Sequence, residues 1–214
     1  MNFEYVDNVY RSRLTLLDIL ESRGYNVDKY RKFSPAEISI AIDAFPSLSF
    51  KVSKRDDDTQ VCDVRYAKVS RQKQDTFFND ISVEDALKTE VIVMMLDPIN
   101  DSHHITALKQ YMMPVERDGV KDKKKLRVSF FSIYMLVQNP LKHILVPKHE
   151  IIPQDQHKEL LESMYITSKA KMPEIKFHMD PIARCIGAVP GDIIKITRYS
   201  QSSGEAIIYR VCAP

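Results

Sequence analysis

Six consecutive apolar residues, Val91-Ile92-Val93-Met94-Met95-Leu96, set the tightest constraint on how this chain folds. A strand with one wet face alternates apolar and polar residues, whereas a strand buried on both faces reads as an unbroken apolar run. The run is far too short to span a bilayer, which takes about 20 residues as a helix. It predicts a central strand covered on both faces, and such a strand calls for a layered α/β domain. Asp97-Pro98 ends it.

The neighbouring segments supply the layers. Val6, Val9, Tyr10, Leu14, Leu17 and Leu20 recur at helical spacing and Gly24 follows as a stop, which predicts a helix over 8–23 with Arg11, Arg13 and Arg23 on its exposed side. Ser34-Pro35-Ala36-Glu37 places an N-cap, a first-turn proline and a first-turn acid ahead of a second helix, stopped near Ala44 by Pro46. Leu48, Phe50 and Val52 alternate as a strand, Asp56-Asp57-Asp58 makes a charged turn, and 61–69 returns as the hairpin partner. Residues 71–88 are polar and in part helical, 102–112 read as a helix, and 126–136, rich in Val, Phe, Ile and Tyr, as a strand. This order predicts an α/β domain over 1–140, with Asn139-Pro140 as the boundary.

The texture then changes to a small α+β domain over 141–214. Residues 144–149 lead into a helix over 154–165, and 169–173 form a polar connector. Asp180-Pro181-Ile182-Ala183-Arg184 is a capped single turn, with Asp180 as the cap. Gly187, Gly191 and Gly204 are turn residues, and strands over 192–198 and 206–211 are joined by a loop at 200–204.

Composition excludes several function classes. The net charge is +2, so nucleic-acid contact requires a local patch. Five glycines and no tryptophan argue against a phosphate-binding glycine loop or a repeat array. Cys62, Cys185 and Cys212 are far apart with no CxxC pair, so neither a zinc ribbon nor a disulfide framework is expected, and a reducing compartment fits best. The first ten residues have no apolar core and do not read as a secretory signal. The expectation is a soluble chain with no membrane partner, small-molecule substrate, metal or cofactor.

An ordered series in the last third is specific. It runs Leu145-Val146-Pro147-Lys148-His149, Met172-Pro173-Glu174-Ile175, Asp180-Pro181-Ile182-Ala183-Arg184, Gly187, Gly191-Asp192, Ile194-Lys195-Ile196-Thr197-Arg198, Ser200, Ser203-Gly204 and Ile207-Ile208-Tyr209-Arg210-Val211. The series resembles the small H-type component of archaeal RNA polymerase and the C-terminal domain of the fifth shared subunit of eukaryotic RNA polymerases I, II and III. Tyr10-Arg11-Ser12-Arg13 and Arg23-Gly24-Tyr25 resemble the eukaryotic subunit's first helix and turn more weakly, and Val91–Leu96 its central strand. Arg198-Tyr199-Ser200 lacks the family's proline, Cys185 replaces an aromatic, and Pro190 is unusual; these departures leave room for a virus-encoded homologue.

The resemblance implies a non-catalytic structural subunit of a multisubunit DNA-dependent RNA polymerase. Its N-terminal jaw domain, a nuclease-like layered α/β fold, lies in the lower jaw near downstream duplex DNA. Its C-terminal assembly domain docks on the largest subunit. The location is the nucleus if cellular, or a virion or cytoplasmic viral factory if virus-encoded. Largest-subunit contacts fall to His149, Asp180, Pro181, Arg184, Arg198, Ser200, Tyr209 and Arg210. Arg184 and Arg198 suit bidentate carboxylate or carbonyl contacts, while Tyr209 fits its own core equally well. Two segments are DNA-proximal candidates: Ser102, His103 and His104 in the turn after the central strand, and Lys121, Lys123, Lys124, Lys125 and Arg127 around Asp122. Either also reads as an ordinary solvated turn.

Two alternatives are weaker. A Mg²⁺-dependent nuclease needs a second acid where Asp63 and Lys68 are joined by Tyr66, and a phenol of pKa about 10 is no carboxylate ligand. A free-standing DNA-binding factor lacks both charge and a reader motif.

Overall fold

The long first helix, α1 (Phe3–Ser22), buries Val9, Leu16, Leu17, Ile19 and Leu20. In this computed structural model the described residues are 3–69, 74, 76–117, 119–200, 202 and 204–214. Ser203, residues 71–73 and residue 75, which figured in the expectations above, lie outside them. The chain divides into two units, Met1–Gln138 and Asn139–Pro214.

In the first unit the exposed basic face expected of α1 is corrected. Arg11 is outside, paired with Asp7 at 2.8 Å. Arg13 points inward: its Nη1 donates to Leu48 O at 2.7 Å, and its guanidinium lies 4.5 Å from the Phe50 ring centre and 5.2 Å from that of Phe33. Aromatic faces and a carbonyl replace the water that the charge gives up. Arg23 is largely covered and pairs with the buried Glu90. Helix α2 (Pro35–Ala41) starts on the expected cap, with Ser34 N donating to Glu37 Oε2 at 2.7 Å and Glu37 N to Ser34 Oγ at 3.3 Å. It gives way to a 3₁₀ stretch, Ile42–Leu48, broken at Ala44 ahead of Pro46.

The strands are β1 (Phe50–Ser53), β2 (Val61–Tyr66) and β3 (Thr89–Met95), followed by α3 (Asp101–Met112), β4 (Pro114–Arg117), β5 (Val120–Lys123) and β6 (Arg127–Ser132). The main sheet has the order β1-β2-β3-β6, with β1 antiparallel to β2 and the other pairs parallel. β3 is internal and Val91–Met95 are buried, as the apolar run requires. β4 and β5 form a separate antiparallel ribbon that was not expected, because four polar-rich residues per strand show no period. The strand expected over 126–136 stops at Ser132 and becomes a 3₁₀ turn, Ile133–Leu136, packed on α1.

The second unit contains β7 (Lys148–Ile152), α4 (His157–Ser163), β8 (Glu174–Lys176), α5 (Pro181–Ile186), β9 (Ile193–Ser200) and β10 (Gly204–Ala213). The sheet order is β7-β9-β10-β8, with β8 parallel to β10. β7 and β8 are additions to the two strands expected, and α4 is shorter than the helix expected over 154–165. α4 ends early because Tyr165 turns left-handed at φ 55°. One sheet face buries Met172, Ile193 and Val211, with Leu160, Leu161 and Ile166 packed on them. His157 Nε2 is 3.0 Å from Ile152 O, and Lys169 Nζ bridges His157 Nδ1 at 2.7 Å to Gly191 O at 2.8 Å, fixing α4 to the sheet.

Candidate assembly surface

Register places His149 opposite Ile196, and Ile194 opposite Arg210, so these four share one sheet face. The start of α5 lies over that face. Asp180 Oδ1 accepts from Ile182 N at 2.8 Å and Ala183 N at 2.9 Å, and Pro181 fixes the first turn. The result is a cleft of about 540 Å³ lined by His149, Ile175, Met179, Asp180, Pro181 and Arg210 among others. His149 Nδ1–H donates to Pro147 O at 2.7 Å, and Arg210 Nη1 donates to Glu174 O at 2.8 Å. The lining mixes apolar Ile175, Met179, Pro181 and Ile196 with Glu174, Lys176, Asp180 and Arg210, so apolar surface and both signs of charge meet there, a composition suited to a polypeptide partner.

Four of the eight residues expected to meet a partner thus come together: His149, Asp180, Pro181 and Arg210. The others separate. Arg184 is only 6% exposed, and burial pulls its guanidinium down to about 10. Tyr209 packs on the opposite face with Ile193 and Val211. Arg198 and Ser200 stand at the far end of β9, Arg198 exposed opposite Ala206 and Ser200 Oγ 3.2 Å from Ser202 Oγ.

The two DNA-proximal segments are likewise mixed. Asn100 N donates to His103 Nδ1 at 3.2 Å, and the His103 ring packs 5.0 Å from Phe130. That side chain is only 4% exposed, and burial holds the imidazole below its ordinary range. Ser102 Oγ donates to Asn100 Oδ1 at 2.6 Å and accepts from Gln74 at 3.2 Å, while His104 is half-buried. Lys124 is buried, its Nζ donating to Gln110 Oε1 at 3.1 Å, and burial lowers its titration. Lys125 pairs with Asp122 at 3.0 Å. Lys121, Lys123 and Arg127 remain exposed.

The nuclease-like positions are structural. Asp63 is buried and held by Arg65 at 2.9 Å, which also grips Asp80 at 2.7 Å. Tyr66 is buried and lies 5.8 Å below the Arg13 guanidinium. Burial alone would raise the Glu90 carboxyl, but Arg23 overrides it by charge and hydrogen bond and holds it below the usual range.

One property escaped the sequence reading. Among the described residues, eight large exposed apolar side chains fall in the 76 residues after Gln138 and seven in the 138 before, roughly a doubled density. Ile144 and Leu145, between Pro140 and Pro147, are among the most exposed. Aliphatic residues inside a proline-bracketed turn were the available signal.

Comparison with known protein families falls on the same unit. The domain described as RNA polymerase Rpb5, C-terminal domain, matches residues 138–212. DNA-directed RNA polymerase subunit Rpo5 of Methanosarcina barkeri is 52% identical over 71 residues, 33% of this chain and 88% of that protein. Its counterpart from Archaeoglobus fulgidus is 51% identical over 69 residues, 32% of this chain and 88% of that protein. The rpabc1 subunit of DNA-directed RNA polymerases I, II and III of Dictyostelium discoideum is 26% identical over 212 residues, 98% of this chain and 99% of that protein. All three are named as subunits of DNA-directed RNA polymerases, so the class is that of a polymerase component rather than a free-standing enzyme. The chain belongs to the RNA polymerase Rpb5 family.

Proposed function

We propose that this protein is a structural, non-catalytic subunit of a multisubunit DNA-dependent RNA polymerase. Residues 139–214 hold it on the largest subunit, and residues 1–138 form a jaw element near downstream duplex DNA. The observation that carries the docking assignment is a difference in coverage. Two archaeal polymerase subunits match 71 and 69 residues of this chain over 88% of their own length, about the size of the second unit, and the family domain falls on residues 138–212, which supports docking through that unit. The same unit holds the cleft around His149, Asp180, Pro181 and Arg210 and the denser exposed apolar surface.

The nuclease-like layering of the first unit serves as scaffold, since its Asp63 carboxylate is engaged by Arg65. DNA proximity rests on Lys121 and Lys123 of the exposed ribbon and on Arg127, which suit weak phosphate contact within the assembled complex. A eukaryotic-type polymerase places the protein in the nucleus; a viral gene would place it in a virion or viral factory. The test is co-purification with a tagged largest subunit. The intact chain is expected to be retained and a chain ending at Gln138 to be lost; retention of the shortened chain would refute docking through the second unit.

A further inference from the structure

The second unit begins with a pair of consecutive tight turns. Asn139 Oδ1 accepts from Leu141 N at 3.0 Å, and His143 N donates to Pro140 O at 3.3 Å. The next turn begins at once: Val146 N donates to His143 O at 2.9 Å, and Leu145 N donates to His143 Nδ1 at 3.2 Å. The imidazole plays the part that an Asn or Asp side chain usually takes in such a turn. At the two corners stand Ile144 and Leu145, 94% and 82% exposed.

Turn corners favour Gly, Pro, Asn, Asp and Ser for conformational and hydrogen-bonding reasons, none of which applies to Ile or Leu. Their burial within the unit contributes almost nothing, because so little of either side chain is covered. The pair is nevertheless held firmly, since α5 packs against the Pro140–Lys142 turn beneath it. Two aliphatic side chains carried into water on a doubly hydrogen-bonded turn have a backbone preorganised for a partner.

We propose that Ile144 and Leu145 form a preset knob that inserts into an apolar socket rimmed by carboxylates on the largest polymerase subunit. This rests on the docking role assigned above and names the chemistry of one contact within it. The rim follows from charge. Residues 139–149 contain Lys142 and Lys148, His143 and His149, and no acid. Glu150, just beyond, pairs with Lys148 at 2.7 Å. A symmetric pairing of this turn with a second copy would bring like charges together.

The experiment uses the full chain co-expressed with the tagged largest subunit. Ile144→Ser with Leu145→Asn replaces both aliphatics by turn-favouring residues. Capture is expected to fall about tenfold or more, as for a central anchor, while the melting temperature of the isolated chain stays the same or rises. Capture equal to the parent's overturns the knob. So does a fall in melting temperature, which would mean the two side chains pack within this chain. A parent dimer that the double variant abolishes assigns the knob to a second copy and overturns the proposal as well. Lys142→Glu is expected to weaken capture at low salt and less at high salt; unchanged capture at low salt overturns the carboxylate rim. Failure of the parent itself to be captured refutes the docking role instead, so the two failures are distinguishable.

Discussion

The two units differ in degree in how they dispose of charge and apolar surface: both bury charged groups, Arg184 and Asp192 in the second, but the second exposes large apolar side chains about twice as densely. Residues 1–138 take charges inside: Arg13 under aromatic rings, and Arg23 on Glu90 with Tyr25 OH donating to the same carboxylate at 3.1 Å. Residues 139–214 bury a small apolar cluster and leave Ile144, Leu145, Tyr165 and Tyr199 in water. A large unit can enclose ion pairs because enough apolar area surrounds them; a small one has little interior to spend and keeps adhesive surface outside.

The contrast can be broken most severely at Glu90. Glu90→Gln leaves Arg23 as a largely covered, uncompensated charge and is expected to destabilise the first unit by about 3–5 kcal/mol, read as a lower melting transition; a loss within error of zero would show that the pair is solvated. Next in size, Asp180→Ala removes the cap that accepts from Ile182 and Ala183 and is expected to cost about 1–2 kcal/mol. It should lower polymerase capture together with stability, because the cleft loses one wall.

Acid sharpens the comparison. Glu90 titrates below its ordinary range when folded, so its contribution is present above about pH 4.3 and is lost as pH falls through the folded value. His103 is also depressed, by burial, so the unfolded ring takes up protons first and stability declines as pH drops below about 6.5. In the second unit the buried groups with displaced titrations, Arg184 at about 10 and Cys212 pushed up by burial to about 12, lie above that window. Amide exchange from pH 8 to pH 4 should therefore show the first unit loosening earlier; simultaneous loosening would contradict the difference.

The smallest effect has the opposite sign. Tyr165 is a left-handed non-glycine residue at the end of α4, so Tyr165→Gly is expected to stabilise the second unit by up to about 1 kcal/mol. A lower melting temperature instead would mean that the exposed ring is supported within this chain.

What was legible in the sequence was local. The apolar run at 91–96 became an internal strand because continuity of burial is written in consecutive residues. Ser34 with Glu37, and Asp180 with Pro181, carry their caps within a few positions. What was missed depends on distant neighbours. Arg13 looks solvated at its place in the helical period, and only Phe33, Phe50 and Tyr66, brought together by the fold, turn it inward. His103 and Lys124 looked like phosphate partners until Phe130 and Gln110 closed over them. In the candidate assembly surface, the Asp180-Pro181 turn was readable, whereas its meeting with His149 and Arg210 depends on β7 and β8, strands too short and mixed to show an alternation.

The sheet orders also fix a timetable for synthesis. β3 acquires its neighbour β6 only after about forty further residues, so its most apolar edge stays open while α3 and the ribbon are being made. The second sheet has a comparable wait, since β10 lies between β9 and β8 and is made after both. A ribosome stalled before that strand would present β8 and β9 without the strand that latches them together.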